Sequence, residues 1–435
     1  MNINKNKTTK DYKKRKKIGQ FFTESKLVNE IIDKFKLNFD NKIIIEPSCG
    51  DGSFIKGIIS SKAKYKKIFG IDIDKKALNA IEFSENDRVI LKHTSFLNYN
   101  IKEKIDLIIG NPPFNLPDER YIDTTEAFVS TGIDVLSDNG ELILIVPNTV
   151  LRIQKYQKLR EKILSETKII SIMNTSNYEF LGADIETIAI YLKKEKVKKQ
   201  TYEYINGDEI KNISLIINER KTIMLDNIKI YNDLNKKLNG KKLSGIFDIN
   251  RGHFSGNGLR GRNVDFYNDF IDMHNGNDLF IAVQNIAYRI VANVVRGNIK
   301  EVNDTITILK PRIAMSIDKL KYIANFLNSS ITYYNLHINC LNNCRLTVHI
   351  DKYYIADIKV PMDFDSDSLS IVKNLKRHVK TKELSKIRNE YFYKKYNLDK
   401  ISIEEIEKYW KAPKFKIKEE MKWLSTKMKL QCIQI

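Results

Sequence analysis

The chain is poor in cysteine and contains no long hydrophobic run. Its 435 residues include four cysteines at scattered positions: Cys49, Cys340, Cys344 and Cys432. So few cysteines cannot build a disulfide framework, and this usage is typical of a reducing compartment. No run is both apolar and long enough to cross a bilayer. We therefore expect a soluble cytoplasmic protein that makes no contact with a membrane.

Metal-binding and nuclease patterns are also missing. His337, Cys340, Cys344 and His349 lie close together in the sequence, but their spacing lacks the paired close ligands of a zinc site. We find no Asp…Glu-x-Lys cluster of the kind used in nuclease centres. The sequence predicts packing residues instead of a metal site, and no nuclease within this chain.

Acidic residues are scarce relative to basic ones. Asp and Glu number 54 against 74 Lys and Arg, which gives a net charge of +20. Such a balance favours a polyanionic partner, nucleic acid before membrane. Residues 1–17 concentrate the excess, with eight basic residues, one acid (Asp11) and no apolar stretch of the signal-peptide type. We predict that residues 1–17 form a flexible basic arm.

Strand and helix patterns alternate through the first half of the chain. Predicted buried strands cover Ile43–Glu46, Lys67–Ile71, Val89–Leu91, Ile105–Ile109, Gly140–Pro147 and Thr187–Leu192. Predicted helices include Lys26–Phe35, which Ser25 or Thr23 can cap, and Thr124–Leu136. This alternation predicts an α/β fold with a doubly wound sheet.

A short motif follows the fourth strand, where ligands bind in open α/β sheets. Asn111, Pro112, Pro113 and Phe114 come directly after Gly110. The two prolines fix the backbone and remove donors, which leaves the Asn111 side chain and the Pro112 carbonyl as acceptors beside an aromatic face. This set suits a planar ring with an exocyclic amino group. A strand that ends in a plain Pro-Pro turn is the alternative.

A glycine-rich turn follows the first strand. Gly50 and Gly52 let the backbone pass close to a ligand, while the carboxylate of Glu46 suits a cationic group such as an ammonium. Asp72 ends the next strand about twenty residues later, where an acid commonly accepts from ribose hydroxyls. Phe96, after the third strand, could cover an adenine ring.

Four segments together resemble a known family. Gly19-Gln-Phe-Phe-Thr23, Glu46-Pro-Ser-Cys-Gly-Asp-Gly52, Gly70-Ile-Asp72 and Asn111-Pro-Pro-Phe114 are similar to segments of the S-adenosylmethionine-dependent adenine-N6 DNA methyltransferases of the restriction–modification type. Their order matches the gamma arrangement, in which the cofactor motifs precede the target-recognition domain. The resemblance covers residues 18 to about 193 and implies a Rossmann-like methyltransferase sheet.

The resemblance also implies roles for individual residues. For S-adenosylmethionine it implies contacts at Thr23 (methionine carboxylate), Glu46 (ammonium), Ser48, Gly50, Gly52, Asp72 (ribose), Ile73, Ser95, Phe96 (adenine) and Asn111. Ser95 stands where the family usually has Asp, which weakens that expected contact. For the target base it implies Asn111 and Pro112 as acceptors, Pro113 as part of the catalytic motif, and Phe114 and Phe180 as stacking partners.

The later part of the chain differs in composition. We assign 18–240 to the catalytic domain, 241–365 to an α+β target-recognition domain, and 366–435 to a helical extension with Trp410 and Trp423. Residues 251–262 form a flexible glycine-rich loop in this prediction. Its arginines, Arg251, Arg260 and Arg262, could reach base edges or phosphates.

The predicted reaction is methyl transfer from S-adenosylmethionine to N6 of adenine in a specific sequence of double-stranded DNA. The base must leave the duplex for this transfer, and any restriction endonuclease partner is expected from a separate gene.

Three alternatives stay open. An rRNA adenine methyltransferase shares Ile18-Gly-Gln-Phe-Phe but usually has a single Pro and a shorter chain. A protein glutamine methyltransferase usually has Tyr in place of Phe114. A non-enzymatic nucleic-acid binder would not need intact Glu46, Asp72 and Asn111.

Overall fold

The computed structural model describes the following parts of the chain: residues 23–81, 87–176, 178, 186–197, 200–215, 221–225, 229–238, 240–256, 258–264, 270–287, 290–338, 348–350, 352–364 and 381–411. The chain divides into two compact units, Met1–Asn227 and Ile228–Ile435. The finer division at residues 17, 240 and 365 stays a prediction. Within the described residues, no helix is long and apolar enough to span a membrane.

The first unit is built on a nine-stranded sheet with the order β3-β2-β1-β4-β5-β7-β6-β8-β9. The strands are β1 (Ile43–Glu46), β2 (Lys67–Asp72), β3 (Val89–His93), β4 (Ile105–Gly110), β5 (Leu136–Pro147), β6 (Lys168–Asn174), β7 (Thr187–Lys193), β8 (Thr201–Asn206) and β9 (Glu209–Ser214). The five strands β1 to β5 run parallel to their neighbours in this group. β7 runs antiparallel to both β5 and β6.

Helices cover both faces of this sheet. They are α1 (Ser25–Lys34), α2 (Ser53–Ser60), α3 (Lys75–Asn79), α4 (Thr124–Val135) and α5 (Gln157–Glu166). Alternate residues of the central strands point to opposite cores: one core contains Ile45, Ile108 and residues of α4 and α5. The other contains Ile44, Ile109 and residues of α1 and α2. Burial on both faces explains why these strands are continuously apolar, and it confirms the predicted doubly wound α/β fold.

The predicted cap of the first helix is wrong. The residue before the helix is Glu24, which makes no side-chain cap, and Ser25 is already the first helical residue. Thr23 lies one position too early to cap, and its hydroxyl instead accepts a hydrogen bond from the amide of Asn111 (3.1 Å). Thr23 therefore contacts the loop after β4 and does not cap the helix.

The second unit contains a five-stranded sheet of order β11-β16-β13-β15-β12. The strands of the unit are β10 (Lys241–Lys242), β11 (Phe247–Arg251), β12 (Phe270–Asp272), β13 (Asp278–Gln284), β14 (Ile286–Ala287), β15 (Ala292–Gly297), β16 (Ile306–Pro311), β17 (Val348–His349) and β18 (Lys359–Val360). Two further sheets have two strands each, β10 with β18 and β14 with β17. Its helices are α6 (Lys229–Leu238), α7 (Ile317–Leu327), α8 (Ser330–Leu336), α9 (Lys352–Ala356), α10 (Thr381–Lys395) and α11 (Lys400–Lys411). It is therefore a mixed α+β unit.

A buried asparagine joins α7 to this sheet. Asn328 follows α7 and is 4% exposed. Its amide donates to the carbonyl of Ala292, and its side-chain oxygen accepts from the Ala292 N–H, both at 2.8 Å. One side chain thus satisfies both backbone groups of a β15 residue, which a purely apolar contact could not do.

Candidate active site

The predicted residues Glu46 and Asn111 meet where the order of the parallel strands reverses. β1 lies between β2 and β4, with Ile45 opposite Ile108. Glu46 ends β1, and Asn111 follows β4 directly. Gly110 permits this approach, because a Cβ there would lie 3.1 Å from Cδ of Pro47. Such a switch point is the usual ligand site of an open α/β sheet.

Glu46 supplies a buried carboxylate at this point. The side chain is 2% exposed, and its Oε2 accepts from the N–H of Ile55 in α2 (3.2 Å). Burial, with the nearby charges of Asp51 and Asp72, raises the pKa of Glu46 well above its usual value, against the lowering effect of the backbone donors. Among the described residues, no basic side chain forms an ion pair with it. A cationic ligand group fits this carboxylate.

The turn after β1 is folded around Asp72. Gly50 and Gly52 have φ values of +51° and +75°, which favour glycine. The two oxygens of Asp72 accept from the N–H of Gly50 (2.7 Å) and the N–H of Asp74 (2.8 Å). Burial raises the pKa of the Cys49 thiol directly before Gly50, so Cys49 stays an uncharged core residue. The turn and the end of β2 are thereby fixed together.

Asn111 is connected to both sides of the site. Its amide donates to the Thr23 hydroxyl (3.1 Å), and its backbone carbonyl accepts from the Ser48 hydroxyl (3.2 Å). The structure thus brings together Thr23, Glu46, Ser48, Asp72 and Asn111. These residues were predicted from four separate segments of the sequence.

The aromatic residues of the prediction are more buried than their proposed roles suggest. Phe114 is 5% exposed and packs in one core of the sheet. Phe96 is 2% exposed, with its ring centroid 5.6 Å from that of Phe128 in the other core. Ile73 is 69% exposed beside Asp72, and Ser95 is half-buried before Phe96. The base and adenine contacts of these residues stay predictions.

Several predicted residues lie outside the described residues. These are the basic arm, residues 18–22, Phe180, Cys340, Cys344, Cys432 and Trp423. Among the residues that are described, no group of three or more His, Cys, Asp or Glu side chains could hold a metal ion. The stacking role of Phe180 stays a prediction.

The predicted flexible loop of the second unit is corrected by its contacts. In the described part of 251–262, the N–H groups of Gly252, Phe254 and Leu259 donate to carbonyls of the segment 301–306 at 3.0–3.1 Å. Gly252 and Gly258 permit this, because a Cβ would lie 2.2 Å and 1.9 Å from carbonyl oxygens of that segment. Backbone therefore packs on backbone, and the described residues 251–256 and 258–262 form a fixed surface, here called the platform.

The three arginines of the platform have different contacts. Arg251 donates through Nε to the carbonyl of Asp304 (2.7 Å). Arg260 donates to the carbonyl of Gly256 (3.0 Å), whereas Arg262 is exposed. Arg260 and Arg262 line one surface pocket together with Asn263, Asn275 and Glu301. Donors and acceptors are thus mixed in this pocket, and its contacts with any ligand stay predictions.

A polar cluster beside the Asn111–Phe114 motif was not predicted. Asp123, 3% exposed, accepts at Oδ2 from Nζ of Lys155 and from the hydroxyl of Tyr156, both at 2.7 Å. The side-chain oxygen of Asn115 accepts from the same hydroxyl (3.0 Å) and the same ammonium (3.4 Å). Burial alone would raise the pKa of Asp123, but the bonds from Lys155 and Tyr156 lower it overall. The sequence contained only one indication of this cluster, an Asp at the start of α4.

Comparison with known proteins gives one family match. The sequence profile of the Eco57I restriction-modification methylase family matches residues 60–181. A similar protein is the type II methyltransferase M.CvrRI of Paramecium bursaria Chlorella virus XZ-6E, 27% identical over 237 residues, which are 50% of this chain and 62% of that protein. The predicted resemblance to restriction–modification methyltransferases is thereby confirmed, while the gamma arrangement stays a prediction.

Two further proteins match different shares of this chain. The ribosomal RNA small subunit methyltransferase A of Prochlorococcus marinus (strain MIT 9215) is 29% identical over 113 residues, which are 25% of this chain and 40% of that protein. A nuclease-deletion mutant of the type ISP restriction-modification enzyme LlaGI, solved with a DNA substrate mimic, has a TM-score of 0.54. That likeness has 12% identity and covers 86% of this chain and 55% of that one, so it shows a shared fold. The chain spans less than two thirds of the length of these relatives.

Proposed function

We propose that this chain, whose first unit carries the catalytic fold of a restriction–modification methyltransferase, methylates N6 of adenine in double-stranded DNA. The observation that carries the proposal is the hydrogen-bonded path from Thr23 through Asn111 to Ser48. This path places the Asn111 amide at the switch point of the sheet, beside the buried carboxylate of Glu46.

Methyl transfer to the adenine amino group does not need a strongly basic side chain. The amino nitrogen of adenine is a poor nucleophile, because its lone pair is delocalised into the ring. Acceptance of its two hydrogens by the Asn111 side chain and the Pro112 carbonyl favours a more tetrahedral nitrogen and frees the lone pair. Phe114 would orient the ring by stacking, which requires its buried face to become accessible to the base.

S-Adenosylmethionine supplies the methyl group as an already electrophilic sulfonium. Glu46 suits its ammonium group, since this carboxylate is buried and has no basic partner among the described side chains. Asp72 suits the ribose hydroxyls, because its oxygens face the turn at Gly50 and retain further acceptor capacity. The exposed Ile73 offers an apolar surface for the adenine ring.

Three observations favour DNA as the polyanionic substrate. The family profile over residues 60–181 is that of a restriction-modification methylase. The second unit adds a fixed platform with an exposed Arg262, and the whole chain carries a net charge of +20. Phosphate contacts would supply affinity that falls with salt, and platform side chains would supply preference for a sequence. A separately encoded restriction endonuclease is the protein partner that we propose.

Ribosomal RNA is the second candidate substrate. The match to ribosomal RNA small subunit methyltransferase A supports it, although that match covers half as much of this chain as the match to M.CvrRI.

A parallel transfer assay distinguishes these substrates. Labelled S-adenosylmethionine is offered to duplex DNA of random sequence, to structured RNA and to protein, and the methylated residue is identified. We expect N6-methyladenine in DNA at a fixed sequence. Asn111→Ala should lower the single-turnover rate by a factor on the order of 100 or more with cofactor affinity nearly unchanged. Label in RNA or protein alone would refute the DNA substrate. Loss of cofactor affinity would show that Asn111 acts in cofactor binding or in the structure of the site, and not only in the transfer step.

A further inference from the structure

The residue that follows the Asn111–Phe114 motif is held in an unusual conformation. Asn115 has a φ of +53°, in the left-handed region that few residues other than Gly and Asn adopt. Its N–H donates to the Thr125 hydroxyl at 3.2 Å. The chain therefore turns sharply at the exit of the motif, and the turn is fastened to the start of α4.

Lys155 and Tyr156 hold the side chain of the same residue. They lie on the short helix Gln154–Tyr156 after β5, and both approach the Asn115 oxygen and the Asp123 carboxylate. Tyr156 is fully buried. Burial and the neighbouring Asp123 charge raise the pKa of its hydroxyl, so it is a lasting proton donor.

Lys155 supplies hydrogen-bond donors that Tyr156 alone cannot supply. A tyrosine hydroxyl has one proton, so it can serve either the Asn115 oxygen or Asp123 at a given moment. The Lys155 ammonium has three donors and lies 2.7 Å from Asp123 and 3.4 Å from Asn115. Without it, two acceptors compete for one proton, and one of them loses its partner within the cluster.

We propose that Lys155, acting with Tyr156 through Asp123 and Asn115, positions the Asn111–Phe114 motif for methyl transfer. The motif is then fixed at both ends, by Thr23 and Ser48 at Asn111 and by this cluster at Asn115. Lys155 touches no reacting atom in this proposal and is a positioning residue. Only the expected change in the methyl-transfer rate rests on the proposed function; the hydrogen bonds of the cluster do not.

The test uses the full chain with Lys155→Met, which keeps the aliphatic stem and removes the ammonium. Lys158→Met is the matched control, because Lys158 is exposed on the neighbouring α5 and makes no hydrogen bond or ion pair that the structure shows. Single-turnover rate, cofactor affinity and DNA affinity are measured for each. We expect Lys155→Met to lower the rate about 10- to 100-fold, as small misplacements of reacting groups do, with both affinities within about threefold of wild type. Lys155→Arg should restore most of the rate, since a guanidinium can also serve two acceptors.

A second readout does not depend on activity. Hydrogen exchange reports on the N–H groups of Asn115 and Leu116, which donate to the hydroxyls of Thr125 and Thr124 at 3.2 Å. Exchange at both should quicken in Lys155→Met and stay unchanged in Lys158→Met. Asn115→Gly, which keeps the turn and removes the acceptor, should lower the rate to a similar extent even if Lys155→Met folds poorly.

The outcomes separate the two proposals. Wild-type rate or unchanged exchange in Lys155→Met overturns the positioning role. A loss of DNA affinity with a normal rate at saturating DNA also overturns it, because Lys155 would then be a phosphate contact. Absence of DNA methylation by the wild-type protein refutes the proposed function, while the exchange experiment still decides the positioning role.

Discussion

Substitution of Glu46 by Gln tests the cofactor site most directly. The change keeps the shape of the side chain and one acceptor for the N–H of Ile55, but it removes the charge. Glu46 is 2% exposed, so an ammonium bound to it would form a buried ion pair. Loss of one partner from such a pair costs about 3–5 kcal/mol. Because Gln still accepts a hydrogen bond, we expect the lower end, which weakens S-adenosylmethionine binding about 100-fold or more.

The pH dependence sharpens this prediction. Burial raises the pKa of Glu46 in the free protein, and the ammonium requires the ionised carboxylate. Affinity should therefore increase with pH until it passes this raised pKa, and binding below it should release a proton. The stability of the free protein should depend on pH in the opposite direction. Because the pKa of Glu46 is raised in the folded protein, this residue contributes stability at low pH. That contribution is lost as the pH rises through the raised pKa. Both dependences should vanish in Glu46→Gln.

Calorimetric titration with the cofactor in buffers of different ionisation enthalpy measures affinity and proton release together. Thermal melting of the free protein across the same pH range measures the stability effect. Glu203→Gln is the control, since Glu203 is exposed on β8 in the same unit. An affinity of Glu46→Gln within about threefold of wild type would refute the ammonium assignment, because the cost expected from a buried pair would be missing. Equal weakening in Glu203→Gln would point to net charge instead.

Three other predictions concern separate parts of the molecule. Asp72→Asn should weaken cofactor binding about 10- to 100-fold through loss of charge-assisted hydrogen bonds, and unchanged affinity in equilibrium dialysis would contradict the ribose assignment. Arg262→Lys should relax the methylated sequence at one position and leave the salt dependence of DNA binding unchanged; equal weakening on all sequences would make Arg262 a phosphate contact. Asn328→Ala should lower the free energy of unfolding by about 2–4 kcal/mol, because two buried backbone groups of Ala292 lose their partner, and an unaltered urea midpoint would show that they find another.

The parallel half of the fold could be predicted because its strands are buried on both faces. Runs such as Ile43–Ile45 and Leu107–Ile109 are apolar at every position, and polar residues stand directly at their ends. Glu46, Asp72 and Asn111 therefore follow from strand ends, whereas Thr23 and Ser48 were implied only by the family resemblance. The direction of β7 could not be predicted, since its apolar residues fit a parallel or an antiparallel neighbour equally well.

The polar cluster was missed for a different reason. Asp123 and Lys155 are 32 residues apart in the chain, and neither belongs to a motif with fixed spacing. Only the fold brings the start of α4 against the short helix after β5. The flexible-loop prediction failed for a related reason: glycine in residues 251–262 suggested freedom, whereas the structure uses it for close backbone contact with 301–306. Composition does not distinguish these two uses of glycine.

In the platform of the second unit, the residues that set the course of the backbone differ from those that set the chemistry of the surface. Its course is set by residues without side chains, Gly252 and Gly258, and by backbone bonds to 301–306. Its outward chemistry includes Arg262, which is exposed and takes no part in those bonds. The side-chain oxygen of Asn263, by contrast, accepts from the Arg260 N–H (3.1 Å) and helps to fix the turn. Mutation of the glycines would disrupt this surface, while mutation of an exposed position such as Arg262 would change the DNA contacts that we propose for it. A lineage could therefore acquire new binding preferences here in single steps and keep the same fold.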